Sequence, residues 1–223
     1  MAQFVLARAT PNDMAELVQV QYEAFKPKYV RELFMGCRDT DDLPKLAKKY
    51  AEDMAQDPTD LWIKVTDLTT GEIVAASSWR LSLASSNVQP RGIDEPMPWV
   101  DGELAAEAKE IMEPMNKTRI ENNAEPFIHL HILFTSPEHV RRGIGSMMMR
   151  WGCELADLLF IQAWIEASAE GNFLYKRFGF YDQQQLTHKG EVTGTCMRRD
   201  ARSNAGVVSP ANRQEGGIDF GVL

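Results

Sequence analysis

The stretch that most restricts the fold is Leu130–Asp157, LHILFTSPEHVRRGIGSMMMRWGCELAD. In it a strand, a proline stop, a glycine-bearing loop and an amphipathic helix succeed one another with few residues to spare. Its opening alternates, with Leu130, Ile132 and Phe134 on one face and His131, Leu133 and Thr135 on the other, which is the period of a strand. Ser136-Pro137-Glu138 ends that strand, and a short loop from His139 to Gly143 leads into a helix. From Ile144, apolar residues recur at Met148, Trp151, Leu155 and Leu158, the spacing of a buried helical stripe. Between strand and helix lies Arg141-Arg142-Gly143-Ile144-Gly145-Ser146. At a helix start the free N–H groups point outward, the dipole favours an anion, and a glycine has no Cβ to block close approach. The loop is therefore suited to a phosphate. A basic turn whose glycines serve only tight packing accounts for the same residues.

The order strand, Pro, loop, Gly-x-Gly, helix resembles the acetyl-CoA loop of the GNAT superfamily of N-acetyltransferases. Its pattern, Gln/Arg-x-x-Gly-x-Gly/Ala, is matched from Val140 to Gly145, with Val140 where Gln or Arg is usual. Arg141 or Arg142 then has to supply the missing polar group. A Walker A loop needs Gly-Lys-Ser/Thr after a longer run, and the dinucleotide fingerprint needs a third glycine, so neither fits. Downstream, Trp164-Ile165-Glu166-Ala167 reads as a strand and Ser168 to Phe178 as a short helix. Tyr175-Lys176-Arg177-Phe178-Gly179-Phe180 resembles the Tyr-x-x-x-Gly-Phe end of the same superfamily. Ile128-His129-Leu130-His131 together with Tyr175 is similar to its arylalkylamine N-acetyltransferase branch. The likeness is strong over residues 126 to 182 and rests on element order alone over residues 1 to 84.

The resemblance implies a single α/β domain over residues 1–200, with a central, mostly antiparallel, twisted sheet flanked by helices. It implies acetyl-CoA as acyl donor and a small primary amine as acceptor, with direct transfer between them. Leu133, Phe134 and Thr135 would pair by backbone with the pantetheine arm, and Arg141, Arg142, Gly143, Ile144, Gly145 and Ser146 would hold the pyrophosphate. His129 and His131 would be the general base and Tyr175 the general acid. A CoA-binding regulatory or scaffold module that has lost turnover is the rival reading. Val140 favours it; the presence of His129, His131 and Tyr175 together argues against it.

The formal net charge of −8 over 223 residues argues against a generic nucleic-acid binder, which needs a basic face, and suits attraction of cationic amines. Cys37, Cys153 and Cys196 are odd in number and widely spaced, as expected of reduced thiols in the cytoplasm rather than a disulfide scaffold. No apolar run approaches the roughly 20 residues of a membrane span, and the first residues lack a signal-peptide pattern. A monomer and a homodimer are equally compatible with the sequence.

Taken in order, Gln3–Ala7 predicts a strand and Thr10-Pro11-Asn12-Asp13 a capped helix start running to about Phe25. A helical piece spans Lys28–Met35, and a further helix runs from Asp39–Asp42 to about Gln56. Asp60–Asp67 and Glu72–Leu83 read as an antiparallel pair around Thr69-Thr70-Gly71. Residues 84–125 form an insertion with a polar helix from about Gly102 to Asn122, either a surface excursion or a lid carrying Trp99 toward the acceptor. A last hairpin turns at Thr187–Gly190, and residues 201–223 read as a mobile tail.

Several positions admit more than one reading of their chemistry. His129 and His131, two apart on a strand, share a face. They can be hydrogen-bonded structural groups, a metal-chelating pair without a clear third ligand, or acid–base groups with a pKa around 6.5. Tyr175 is either a core aromatic or a proton donor. Glu166 is either a second base or a solvent-facing strand residue. Asn172 either contacts the pantetheine or caps a turn. Met147, Met148 and Met149 are helix packing.

Overall fold

Strand β4 (Phe127–Thr135) is the middle member of a seven-stranded sheet in the order β1-β2-β3-β4-β5-β7-β6. The computed structural model describes residues 3–83, 94–124 and 126–201; the expected tail lies outside them from residue 202 on. The other strands are β1 (Phe4–Arg8), β2 (Asp60–Asp67), β3 (Ile73–Ser82), β5 (Gln162–Ala167), β6 (Tyr181–His188) and β7 (Glu191–Arg199). Every neighbouring pair is antiparallel except β4 and β5. A parallel pair needs a crossover, and helix α4 (Ile144–Leu159) supplies it. The expected mixed, mostly antiparallel sheet flanked by helices is what forms.

Helices α1 (Met14–Ala24) and α2 (Leu43–Gln56) cover one face, where Leu17, Val18, Leu46, Tyr50, Trp62 and Phe134 are buried together. Thr10 begins the first as expected: its backbone N–H and hydroxyl both donate to Asp13 Oδ2, at 2.7 and 2.9 Å. The helical piece expected over Lys28–Met35 is a single wide turn, Val30–Phe34. It ends at Gly36, whose φ of +65° favours glycine.

Helix α4 covers the other face with Trp79, Ile128, Leu130, Met149, Cys153 and Ala156. Its buried stripe begins as expected, at Ile144 and Met148, and then departs from the expected one. Gly152, Cys153 and Ala156 face inward, Trp151 and Leu155 are half-buried, and Leu158 is 75% exposed. The cause is Trp79, fully buried against the helix; a Cβ on Gly152 would lie 2.1 Å from its ring. Gly152 gives the indole its space, and Trp151 packs beside it with ring centroids 6.5 Å apart.

Strand β4 carries two irregularities. Ser78 pairs with Ile132 but Trp79 pairs with Leu130, so His131 is an extra residue, a β-bulge. The bulge overturns the alternation expected for this strand. Leu130 packs beneath α4, whereas Ile132 and Phe134 pack on the α1 side. Second, β4 pairs with β5 only from Phe127 to Leu130. Beyond that point β4 continues with β3, β5 continues with β7, and a wedge opens between them.

Helix α3 (Gly102–Asn122) of the insertion packs Ala108 and Met112 on Leu33. Trp99 does not reach into the site: its indole N–H donates to the Gly36 carbonyl at 2.7 Å, docking the segment that precedes α3. Helix α5 (Ala169–Lys176) follows β5, and the last hairpin turns at Lys189-Gly190, both at positive φ. Among the described residues no helix is long and apolar enough to cross a membrane.

Gly152→Ala tests the packing of α4. The added methyl has to displace a buried indole, so unfolding free energy should fall by about 1–3 kcal/mol, read by chemical denaturation. An unchanged midpoint would contradict the close Trp79 contact.

Candidate active site

The wedge leads into a cavity of about 1030 Å³, whose wall includes His129, His131, Leu133, Glu166 and Tyr175. The strand ladder turns His129 and the bulged His131 toward it, with ring centroids 5.6 Å apart. The shared face expected of the two histidines is present.

Each histidine meets a carboxylate. His129 Nε2 lies 2.8 Å from Glu166 Oε2, and His131 Nδ1 lies 3.5 Å from Asp94 Oδ1. Arg119 of α3 joins those carboxylates: its Nε donates to Glu166 Oε1 at 2.9 Å and its Nη2 to Asp94 Oδ2 at 2.8 Å. Arg80 Nη1 donates to Asp94 Oδ1 at 3.0 Å, and Trp164 Nε1 to Glu166 Oε1 at 2.6 Å. Asn116 grips the Asp94 backbone twice, accepting from its N–H at 2.9 Å and donating to its carbonyl at 2.8 Å. Glu166 is thus no solvent-facing strand residue. Its side chain is 5% exposed.

The electrostatics result from burial and from these partners. Burial opposes the Glu166 charge, yet Arg119 and His129 hold its carboxyl at about 2. Asp94 is likewise held well below the carboxylate range, burial being outweighed by His131, Arg119 and Arg80. With its carboxylate ionised, Glu166 can only accept, so a neutral His129 carries its proton on Nε2 and leaves Nδ1 as the lone pair. Burial and Arg119 push the His129 pKa down against the pull of Glu166. Burial and Arg80 push His131 well below its ordinary value. Both rings are neutral at pH 7, the form that accepts a proton. Glu166, ionised to about 2 and clamped by three donors, is a poor base.

Tyr175 is buried where α5 meets β5, beside Gly171, on which a Cβ would come within 3.1 Å of the phenol oxygen. Burial pushes its pKa above the ordinary value, so it stays protonated.

The loop expected to hold an anion is open. Arg141, Arg142 and Gly143 are exposed, and Arg141 and Gly143 have φ of +63° and +85°. The first turn of α4 has no acidic residue, and its first ladder bond is Met147 N–H to Gly143 O. The N–H groups of Ile144, Gly145 and Ser146 precede that ladder. The two glycines divide the readings between them. A Cβ at Gly143 would meet nothing within 4 Å, whereas one at Gly145 would come 3.1 Å from Leu174. Gly143 leaves approach free, and Gly145 serves packing. Ile144 is buried as an anchor, and Arg142 lies over the Phe4 ring, 4.7 Å from its centroid. Leu133, Phe134 and Thr135 line the β4 edge that β5 leaves unpaired. Asn172 caps no turn; its amide donates to Asp182 at 3.4 Å on the α5–β6 surface.

Arg119, Asp94 and Arg80 were not singled out from the sequence. A signal for Arg119 exists in hindsight: Ala108, Met112, Asn116 and Arg119 share one face of α3 and are all buried. A stripe that turns from apolar to polar marks a helix packed over polar groups. Among the described residues no three His, Cys, Asp or Glu side chains are grouped so as to hold a metal ion.

The lowered histidine pKa values make stability depend on pH. An unfolded histidine takes its proton near pH 6.5, while the buried rings resist it. Below that pH the unfolded chain binds more protons, so stability is lost as pH falls. Melting temperature should decline from about pH 7 to about 5.5, and His129→Gln/His131→Gln should flatten that slope. An equal slope in the double variant would contradict the assignment.

No family model matches the chain, and no curated protein matches it. Solved structures do. Arylalkylamine N-acetyltransferase 2 from Aedes aegypti superposes with a TM-score of 0.65 at 12% identity, over 89% of this chain and 99% of that one. Mosquito arylalkylamine N-acetyltransferase like 5b gives 0.61 at 14% identity, over 88% and 99%. A Corynebacterium glutamicum structure of "histone acetyltransferase HPA2 and related acetyltransferase" gives 0.60 at 18% identity, over 92% and 99%. The chain has the GNAT acetyltransferase fold.

Proposed function

We propose that this chain is an acetyl-CoA-dependent N-acetyltransferase that transfers an acetyl group directly to a small primary amine, an arylalkylamine being the class its motifs favour. The observation that carries the reading is the wedge: the β4 edge that β5 leaves unpaired begins beside two neutral histidines on the cavity wall, and the same strand leads on to the open N-terminus of α4. The residues present fit the donor. The N–H groups of Ile144, Gly145 and Ser146, which precede the α4 ladder, with the exposed Arg141 and Arg142, suit a pyrophosphate, and each charge-assisted bond there is worth about 1.5–3 kcal/mol. The free edge of Leu133 to Thr135 suits an amide-bearing arm that adds as a strand. Acetyl-CoA, when bound, supplies an acetyl thioester.

The protein's part is proton management. An alkylammonium with a pKa near 10.4 is almost wholly protonated at pH 7, and only the neutral amine is a nucleophile. His131, bulged into the cavity, and His129, with Nδ1 as its lone pair, accept that proton directly or through one water. Tyr175 has the opposite task. Burial keeps its hydroxyl protonated but also makes it a weaker acid, so its role is hydrogen-bond donation to a developing thiolate, with the proton moving after it.

Three variants test the reading. Gly143→Asp sets a carboxylate in the open anion site, so acetyl-CoA affinity by calorimetry should fall at least tenfold, about 1.4 kcal/mol. Unchanged affinity in the folded variant would refute the loop assignment. His129→Gln/His131→Gln should lower turnover by about 10²–10⁴ with acetyl-CoA binding intact, and Tyr175→Phe should lower kcat by about 10². Near wild-type turnover in both would contradict the mechanism.

A further inference from the structure

From the geometry of the buried charges we propose that Arg119 is a positioning residue: it clamps Glu166 so that the other carboxylate oxygen meets His129, fixing which nitrogen of that ring faces the acceptor, and it holds the Asp94 charge beside His131. The inference rests on the reading of these histidines as the base.

The arrangement has a regularity that structural packing does not require. Glu166 gives Oε1 to Arg119 and Oε2 to His129, at 2.9 and 2.8 Å. Asp94 gives Oδ2 to Arg119 at 2.8 Å, and its Oδ1 faces His131 at 3.5 Å. One guanidinium therefore addresses both histidines through two carboxylates. Its planar fork of donors suits this, and a lysine could not reproduce it. The side chain is 3% exposed and comes from α3, on the insertion, while Asp94 is the first described residue after the 84–93 segment. A burial this deep needs paired charges to be tolerated. Here the pairing faces the two groups that handle the proton.

The orientation has a chemical consequence. A histidine accepts a proton from the acceptor only through a nitrogen that is both deprotonated and turned to the cavity. An ionised Glu166, 2.8 Å from the ring, draws the His129 proton to Nε2, while Asp94 acts on His131 through its charge at 3.5 Å. Without Arg119, Glu166 would lose its guanidinium, take up a proton at higher pH and could then donate to His129, reversing its tautomer, whereas Asp94 keeps Arg80. The groups facing His129 are Glu166 on β5, Arg119 on α3, Asp94 and His131; those facing His131 are Arg80 on β3, Asp94, His129 and Arg119. Cys196 on β7 stands behind Glu166, and burial holds its thiol up at about 12.

These placements give opposite signs for two residues that touch each other. Arg119 depresses both histidines, so Arg119→Met should move the acidic limb of kcat/KM to higher pH. Glu166 raises His129, so the isosteric Glu166→Gln should move it to lower pH. Each should lower kcat about tenfold or more, with acetyl-CoA affinity by calorimetry unchanged. Histidine ¹⁵N NMR of the full chain gives a readout independent of turnover: Nε2–H for His129 in the wild type, and loss of that single tautomer in Glu166→Gln. If Arg119→Met does not fold, Glu166→Gln carries the test by itself. Limbs that do not move, with the tautomer unchanged and kcat within about twofold, would overturn the positioning role. If His129→Gln/His131→Gln still lost turnover in that case, the base reading would survive. Full turnover in the double histidine variant would instead remove the reading on which this inference stands.

Discussion

Strand β4 cannot satisfy both of its neighbours. It pairs with β3 to its end but with β5 for only four residues, Phe127 to Leu130, and past Ile165 β5 stays with β7 alone. Unpaired backbone groups inside a sheet are costly unless something bonds them. Here the unpaired stretch opens into the cavity, where an extended ligand can complete it. The bulge at His131 belongs to the same constraint. One extra residue moves Ile132 and Phe134 from the side of Leu130 to the α1 side, while His131 stays on the cavity wall with His129.

Around that opening the charges nearly balance. Asp60, Asp94 and Glu166 are buried carboxylates, and Arg80 and Arg119 are the guanidiniums set against them. The sheet and α3 share the work: β3, β4 and β5 bring Arg80, the histidines and Glu166, while α3 brings the clamp.

Much of this was legible in the sequence, for reasons that differ by element. The Asp60–Asp67 strand and the α2 end at Gln56 were readable because alternation and capping are local signals. The strand–loop–helix around Gly143 was readable because a glycine at a helix start has few uses. The Trp79–Gly152 contact was not, since it joins residues from a strand and a helix far apart in the chain; it rotated the α4 stripe away from Leu158. The bulge at His131 leaves no local mark, so simple alternation placed Leu130 and Ile132 on one face. Arg119 and Asp94 stand in a polar insertion, where charge ordinarily means solvent, and only the fold brings them under the histidines. The buried, clamped state of Glu166 was hidden for the same reason.

The central claim is that the wedge binds an acyl thioester and that the neutral histidines beside it permit transfer to an amine. The most direct measurement is thiol release from acetyl-CoA by the purified chain across a panel of amines, with arylalkylamines included. The account predicts release that requires the amine, yields the N-acetylated product in equal amount, and falls sharply in His129→Gln/His131→Gln. Tight acetyl-CoA binding with no amine-dependent thiol release from any member of the panel would contradict it, and would leave the chain as a CoA-binding module.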